Sequence, residues 1–193
     1  IAIVMGLFAG FAASAEWDSF LMWRNATDFG QTDPQFGMDL SFFVFTLPFI
    51  QYLLGFGFAV LLLSLIAAVV VQYLYGGLRL QPKGDRATGA AQTQVSILIA
   101  LILFLKAVSY WFDRFALDTQ SQSLVTGFTG LKYTDVHAVL PSLNILTFVA
   151  LIVGVLFVFN AFRRSWPLAF IGLGLMVLTS IVVGVLYPLI IQQ

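Results

Sequence analysis

Three aspartates within twelve residues, Asp28, Asp33 and Asp39, form the carboxylate group of this chain best suited to holding an ion. Turn residues (Gly30, Pro34, Gly37) separate them, and an aromatic slab of Phe42, Phe43, Phe45 and Phe49 follows. A calcium loop of the EF-hand type needs acids at alternate positions, a glycine and a late glutamate. The spacings here are five and six with no glutamate, so that motif fails, and only an irregular calcium site completed by carbonyls remains. The plainer expectation is that the carboxylates cap turns and helix starts, Asp39 above all because it precedes Leu40. Asp28-Phe29-Gly30 matches a kinase tripeptide, but no glycine-rich loop, lysine strand or catalytic loop accompanies it.

Lys106 is the cation inside an apolar run, and a charge at that depth marks a functional candidate. It stands two turns before Asp113 on a similar helical face, with Tyr110 between them. Either Lys106 snorkels toward the interface marked by Tyr110 and Trp111, or it pairs with Asp113 beside a polar cavity. Snorkelling is preferred, since the residue sits near the end of its run. His137, the single histidine, cannot build a histidine-based metal site, and the absence of cysteine excludes thiolate ligands and nucleophiles. No catalytic residue, metal site or cofactor is expected. Asn144 and Asn160, like Thr179 and Ser180, read as hydrogen-bonding glue between helices.

The elements carrying these residues follow from composition. Of 193 residues 60% are hydrophobic and 9% charged, and the mean hydropathy is +0.97. A soluble domain carries about 25% charged residues, so this chain lacks the polar surface to cover itself. A bilayer core of about 30 Å takes about 20 apolar residues per helix. Five segments qualify: Ile1–Ala15 (the truncated end of a helix), Pro48–Leu74, Val95–Phe115, Leu140–Phe162 and Pro167–Ile191. Lipid leaves no water for open backbone, and the runs do not alternate with period two. The expected fold is all-α, a polytopic transmembrane helical bundle of about five spans with extracytoplasmic interfacial helices. Ala13-Ser14-Ala15 imitates a signal-peptide cleavage site, but no cationic n-region precedes it.

Cations set the orientation. Arg79, Lys83 and Arg86 lie in loop 76–94, and Arg163 and Arg164 in turn 163–166; both connectors are expected in the cytoplasm. Segments 16–39 and 116–139 and the C-terminus are then extracytoplasmic, and the outer side receives eight of the nine carboxylates. Leu40–Tyr75 would exceed about 50 Å as one straight helix. A break at Pro48 is therefore expected, with an interfacial helix from Leu40 to Leu47; a strongly kinked single helix is the alternative. Tyr73 and Tyr75 mark the inner interface ahead of Gly76-Gly77. Thr134 or Asp135 is expected to cap a short interfacial helix, and Pro141 to open the fourth span. Gly6, Gly10 and Ser14 stand four apart, a small-residue ridge suited to helix packing. Zero formal net charge argues against a nucleic-acid partner.

The order Trp17…Asn25…Phe29-Gly30…Asp33-Pro34-Gln35-Phe36-Gly37-Met38-Asp39…Phe42-Phe43-Val44-Phe45-Thr46-Leu47-Pro48 is similar to a signature of large bacterial multi-pass membrane proteins. They form a family known only as an uncharacterised protein family, abundant in actinobacteria. The run Tyr110…Asp113-Arg114-Phe115…Gly130-Leu131-Lys132-Tyr133-Thr134-Asp135-Val136-His137-Ala138-Val139-Leu140-Pro141 resembles the same family. The resemblance implies about seven N-terminal spans, a large extracytoplasmic region and an acidic tail, of which this chain is a part. No catalytic residues accompany the family.

These observations favour a platform in the cell membrane of the bacterial envelope. It would anchor the missing extracytoplasmic region and hold membrane-protein partners or further copies of itself in the lipid bilayer. The alternative is a transporter or lipid-handling protein, although interrupted transport helices break near the midplane and Pro48 lies near the outer surface. An enzyme comes last.

Overall fold

The computed structural model describes residues 6, 10, 11, 13–78, 88–119, 135–163 and 166–183. The chain divides into two compact units, Ile1–Leu53 and Leu54–Gln193.

In the first unit, α1 (Trp17–Arg24) carries Asp18 in its first turn and Arg24 in its last, charges that suit the two poles of its dipole. Asn25 closes it, its amide N–H and its Nδ2 both donating to the Leu21 carbonyl. The loop beyond folds back on itself: Asp33 N–H donates to Met38 O (2.8 Å) and Leu40 N–H to Gln31 O (2.9 Å). A five-residue π-turn, Phe42–Thr46, runs straight into α2 (Leu47–Leu74).

This differs from the expected interfacial helix ending at Leu47. The backbone stays helical from Leu40 through Pro48 and on to Leu74. Proline removes the donor that would bond the carbonyl four residues back, and its ring crowds that carbonyl. The widened turn accommodates both effects, because Leu47 N–H reaches back five residues to Phe42 O. The length argument fails because a helix can tilt or extend past the hydrocarbon into the headgroups. At the other end α2 stops at Gly76, whose φ of 73° is left-handed, and Leu78 N–H donates back to Gln72 O (3.0 Å).

The second unit contains α3 (Gly89–Thr119), α4 (Leu140–Arg163) and α5 (Trp166–Ile181). Thr88 caps α3, its Oγ1 accepting from Ala91 N–H at 3.3 Å. Pro141 lies in the first turn of α4 as expected, but a second π-turn, Asp135–Val139, carries helical backbone ahead of it. The expected Thr134 cap lies outside the described residues.

Ser142, Leu146, Ala150, Val153, Phe157 and Asn160 recur at three- and four-residue spacing and give α4 one buried face. That face packs on Ala100 and Leu103 of α3, with Ile99, Phe104, Val149 and Met176 around it. Gly154 permits the close approach, since a Cβ there would stand 2.9 Å from the Phe104 ring. Thr93 Oγ1 donates to Ala161 O at one end of the pair, and Arg114 Nη1 to Asn144 Oδ1 at the other, so α3 and α4 run antiparallel.

Among the described residues three helices are long and apolar enough to cross a membrane: Phe42–Leu74, Gly89–Leu117 and Val136–Arg163. They coincide with the middle three of the five expected spans, each with extra turns. The first expected span falls largely outside the described residues, and the fifth is described only to residue 183, with an apolar helix over Phe170–Ile181.

Candidate functional site

The aspartate loop spends its carboxylates on its own backbone. Asp39 Oδ1 accepts from Phe29 N–H (3.0 Å) and Ser41 N–H (2.8 Å), and Oδ2 from Gly30 N–H (2.9 Å). The bonds from Phe29 and Ser41 hold its carboxyl down at about 2. Gly30 meets that carboxylate with φ 72°, a conformation that side chains disfavour. Asp33, buried, accepts from Gln35 N–H (2.9 Å) and Phe36 N–H (2.5 Å) and turns the chain at Pro34. Ser41 links Asp39 to Asp28, its Oγ donating to Asp28 Oδ1 at 3.5 Å. Asp28 and Asp39 are thus brought together, while Asp33 serves a separate turn. Among the described residues no three His, Asp or Glu side chains converge as metal ligands.

Aromatic rings pack together in the same unit as this loop. Trp23 stacks on Phe49 (4.8 Å between centroids), Phe20 bridges Trp17, Trp23 and Phe49, and Phe29 meets Phe45 edge-on at 5.5 Å. Trp17, Trp23 and Phe29 remain exposed, as rings at a headgroup boundary do. Gly6 and Gly10 are exposed, with nothing within 4 Å of a Cβ on either, and the Ser14 hydroxyl donates to Phe11 O.

On α3, Lys106 Nζ lies over the rings of Phe58 (5.5 Å) and Tyr110 (5.2 Å). Asp113 takes a 3.5 Å bond from Ser109 Oγ instead. The neighbouring Arg114 sits 3.5 Å over the Trp111 ring and donates to Asn144. This corner is a tie between helices faced with aromatic rings.

A third feature has no counterpart in the sequence reading. A cavity of about 200 Å³ lies in the second unit between α2, α3, α4 and α5. Val95, Ile99, Phe157 and Leu173 give it apolar walls, and Gln92, Ser96 and Asn160 contribute its polar groups. Asn160 Nδ2 donates to Ser96 Oγ at 2.9 Å, and Gln72 Nε2 to Gln94 Oε1 at 2.7 Å. Gln92 Nε2 is buried with no hydrogen-bond partner among the described residues. The sequence signal was the spacing Gln92, Ser96, Ile99, one helical face entering a greasy run. It becomes visible only when α4 and α5 supply the opposite wall.

A family model described as an uncharacterised protein family, UPF0182, matches residues 1–193. A UPF0182 protein of Nocardioides sp. (strain ATCC BAA-499 / JS614) is 48% identical over all of this chain and 19% of its own length. Those of Streptomyces coelicolor and Frankia alni are each 47% identical, again over the whole chain, with 20% and 18% of their own lengths covered. The chain therefore spans about a fifth of the curated relatives it matches. No solved structure matches it.

Proposed function

The chain belongs to the uncharacterised protein family UPF0182, and we propose that it is a membrane platform, part of the helical base on which a longer envelope protein is mounted. The base crosses the cell membrane about five times, with loops 76–94 and 163–166 in the cytoplasm. Segments 16–39 and 116–139 and the C-terminus face outward. Asp28, Asp33 and Asp39 shape the outer loop, and Lys106 and Asp113 border the outer end of α3.

One observation carries this reading: α2 is apolar on every side and exposed over most of its girth, at Leu53, Val60, Leu63, Ile66 and Val70 among others. A helix hydrophobic all round is stable only inside lipid or against other protein. The open Gly6 and Gly10 surfaces offer a second place for close helix approach. The antiparallel run of α3 and α4 supports the assigned sides. Transport draws less support, because Lys106 is covered by rings and does not line the cavity. Lipid handling is favoured by that cavity alone.

The test uses the full-length protein with any native cysteine replaced. A membrane-impermeant maleimide is expected to label Thr32→Cys in intact cells and Thr88→Cys only after lysis; reversed labelling would overturn the sidedness. A photo-cross-linker at Ile66 is expected to capture membrane protein, and capture of lipid alone would refute the platform.

A further inference from the structure

We propose that the cavity beside Gln92 seats one acyl chain of a bilayer glycerolipid, whose ester-region oxygen accepts the hydrogen bond that Gln92 Nε2 otherwise lacks. This rests on the membrane reading above. Gln92 is only 7% exposed, yet its amide nitrogen meets no acceptor among the described residues. A buried donor left unmade is a standing cost that an incoming acceptor removes. The neighbouring bonds, Gln72 Nε2 to Gln94 Oε1 and Asn160 Nδ2 to Ser96 Oγ, leave Gln92 Nε2 aside, so among the described residues no acceptor meets it and a ligand can supply one.

Size and depth select the ligand. Gln92 lies three residues into α3, about 5 Å of rise from its start, and Ile99 about 10 Å further along. The donor thus sits at the edge of the apolar run and the greasy walls reach inward from it, which is how a glycerolipid divides into ester and chain. A helix is about 10 Å across, wide for a cavity of about 200 Å³. Water finds few of the two to four polar partners it requires there, since the walls beyond Gln92 are apolar apart from Ser96 and Asn160, which bond each other. The mouth is rimmed by Val69, Phe170 and Leu173, all exposed on the apolar surface where lipid would stand.

The probe is a phosphatidylcholine carrying a diazirine midway along one chain, doped into liposomes holding the full-length protein. After irradiation, adducts are expected to concentrate on Val95, Ile99 and Leu173 relative to the outer-face residues Leu63 and Val70. Gln92→Leu, which preserves shape, is expected to reduce cavity adducts about threefold, the weight of one hydrogen bond in a membrane protein. Ile99→Trp, which fills the space, is expected to abolish them, and both variants are expected to keep outer-face labelling. Cavity adducts no more frequent than outer-face ones, or unchanged in both variants, would overturn the lipid seat and leave the membrane reading standing. So would a benzophenone at position 99 that captures another segment of the protein. Absence of adducts at every position, Leu63 and Val70 included, would overturn both.

Discussion

Arg114 of α3 donates from Nη1 to Asn144 Oδ1 of α4 at 3.0 Å while its guanidinium lies 3.5 Å from the Trp111 ring. Arginine suits this place because one planar group serves an amide and a ring together. Asn144→Leu and Arg114→Met are each expected to lower stability in detergent, and a double-mutant cycle to return a coupling of about 1 kcal/mol. A coupling of zero would mean that the bond does not tie the helices.

Two glycines in apolar helices are expected to answer the same substitution in opposite ways. A Cβ at Gly154 would stand 2.9 Å from the Phe104 ring, whereas one at Gly55 meets nothing within 4 Å. Gly55→Ala is expected to be neutral or stabilising by up to about 1 kcal/mol, from helix propensity alone. Gly154→Ala is expected to cost about 1–3 kcal/mol through overpacking, partly relieved by Phe104→Leu. Thermal unfolding of the four proteins decides it.

The aspartate loop is expected to open in acid. The Asp39 carboxyl falls from an ordinary 3.8 to about 2, because Phe29, Ser41 and Gly30 N–H groups favour its charged form. Its folded value lies below its unfolded one, so its stabilisation is full above about 4 and is lost as pH falls from there towards 2. Hydrogen exchange at the Phe29, Gly30 and Ser41 amides is expected to accelerate over that window, and Asp39→Ala to show the acid pattern at neutral pH. Amides equally protected at pH 2 and pH 6 would deny Asp39 this role.

Lys106→Met is expected to be mild. Two ring faces at 5.2 and 5.5 Å are lost, worth about 1 kcal/mol together at a partly exposed site, along with the attraction to Asp113. A growth or transport defect at unchanged protein level would instead give Lys106 a part in a conduction path.

What could be read from the chain in advance was local. Asp39 beside Leu40 announces a cap, and Gly76 after an apolar run announces a helix end, because both depend on residues within a few positions. The Arg114–Asn144 bond was half legible: Asn144 reads as interhelical glue, but nothing in sequence chooses its partner 30 residues away. The Gln92 cavity was illegible, since its walls come from segments up to a hundred residues apart. Pro48 misled for a different reason. Proline reports that an ordinary α-helical bond is missing, and says nothing about whether the chain breaks or widens in response.

The same answer occurs twice, and that makes it testable. Phe42–Thr46 and Asp135–Val139 are both five-residue π-turns, each followed by Leu-Pro and a long apolar helix. In the first, Leu47 N–H bonds Phe42 O, so residue 48 need not donate. Pro48→Ala restores the donor, and an ordinary bond to Val44 O becomes available. Closing the π-turn removes one residue's worth of bulge, which rotates the preceding turn by about 100° about the helix axis. Phe43 is buried and Val44 exposed in the native turn. In the Pro48→Ala background a cysteine at position 43 is therefore expected to gain reactivity toward a lipophilic maleimide, and one at position 44 to lose it. Pro141→Ala is expected to leave both unchanged, because its own π-turn lies in the other compact unit. If the order of reactivity at 43 and 44 survives Pro48→Ala, the π-turn is held by the aspartate loop ahead of it and not by the proline.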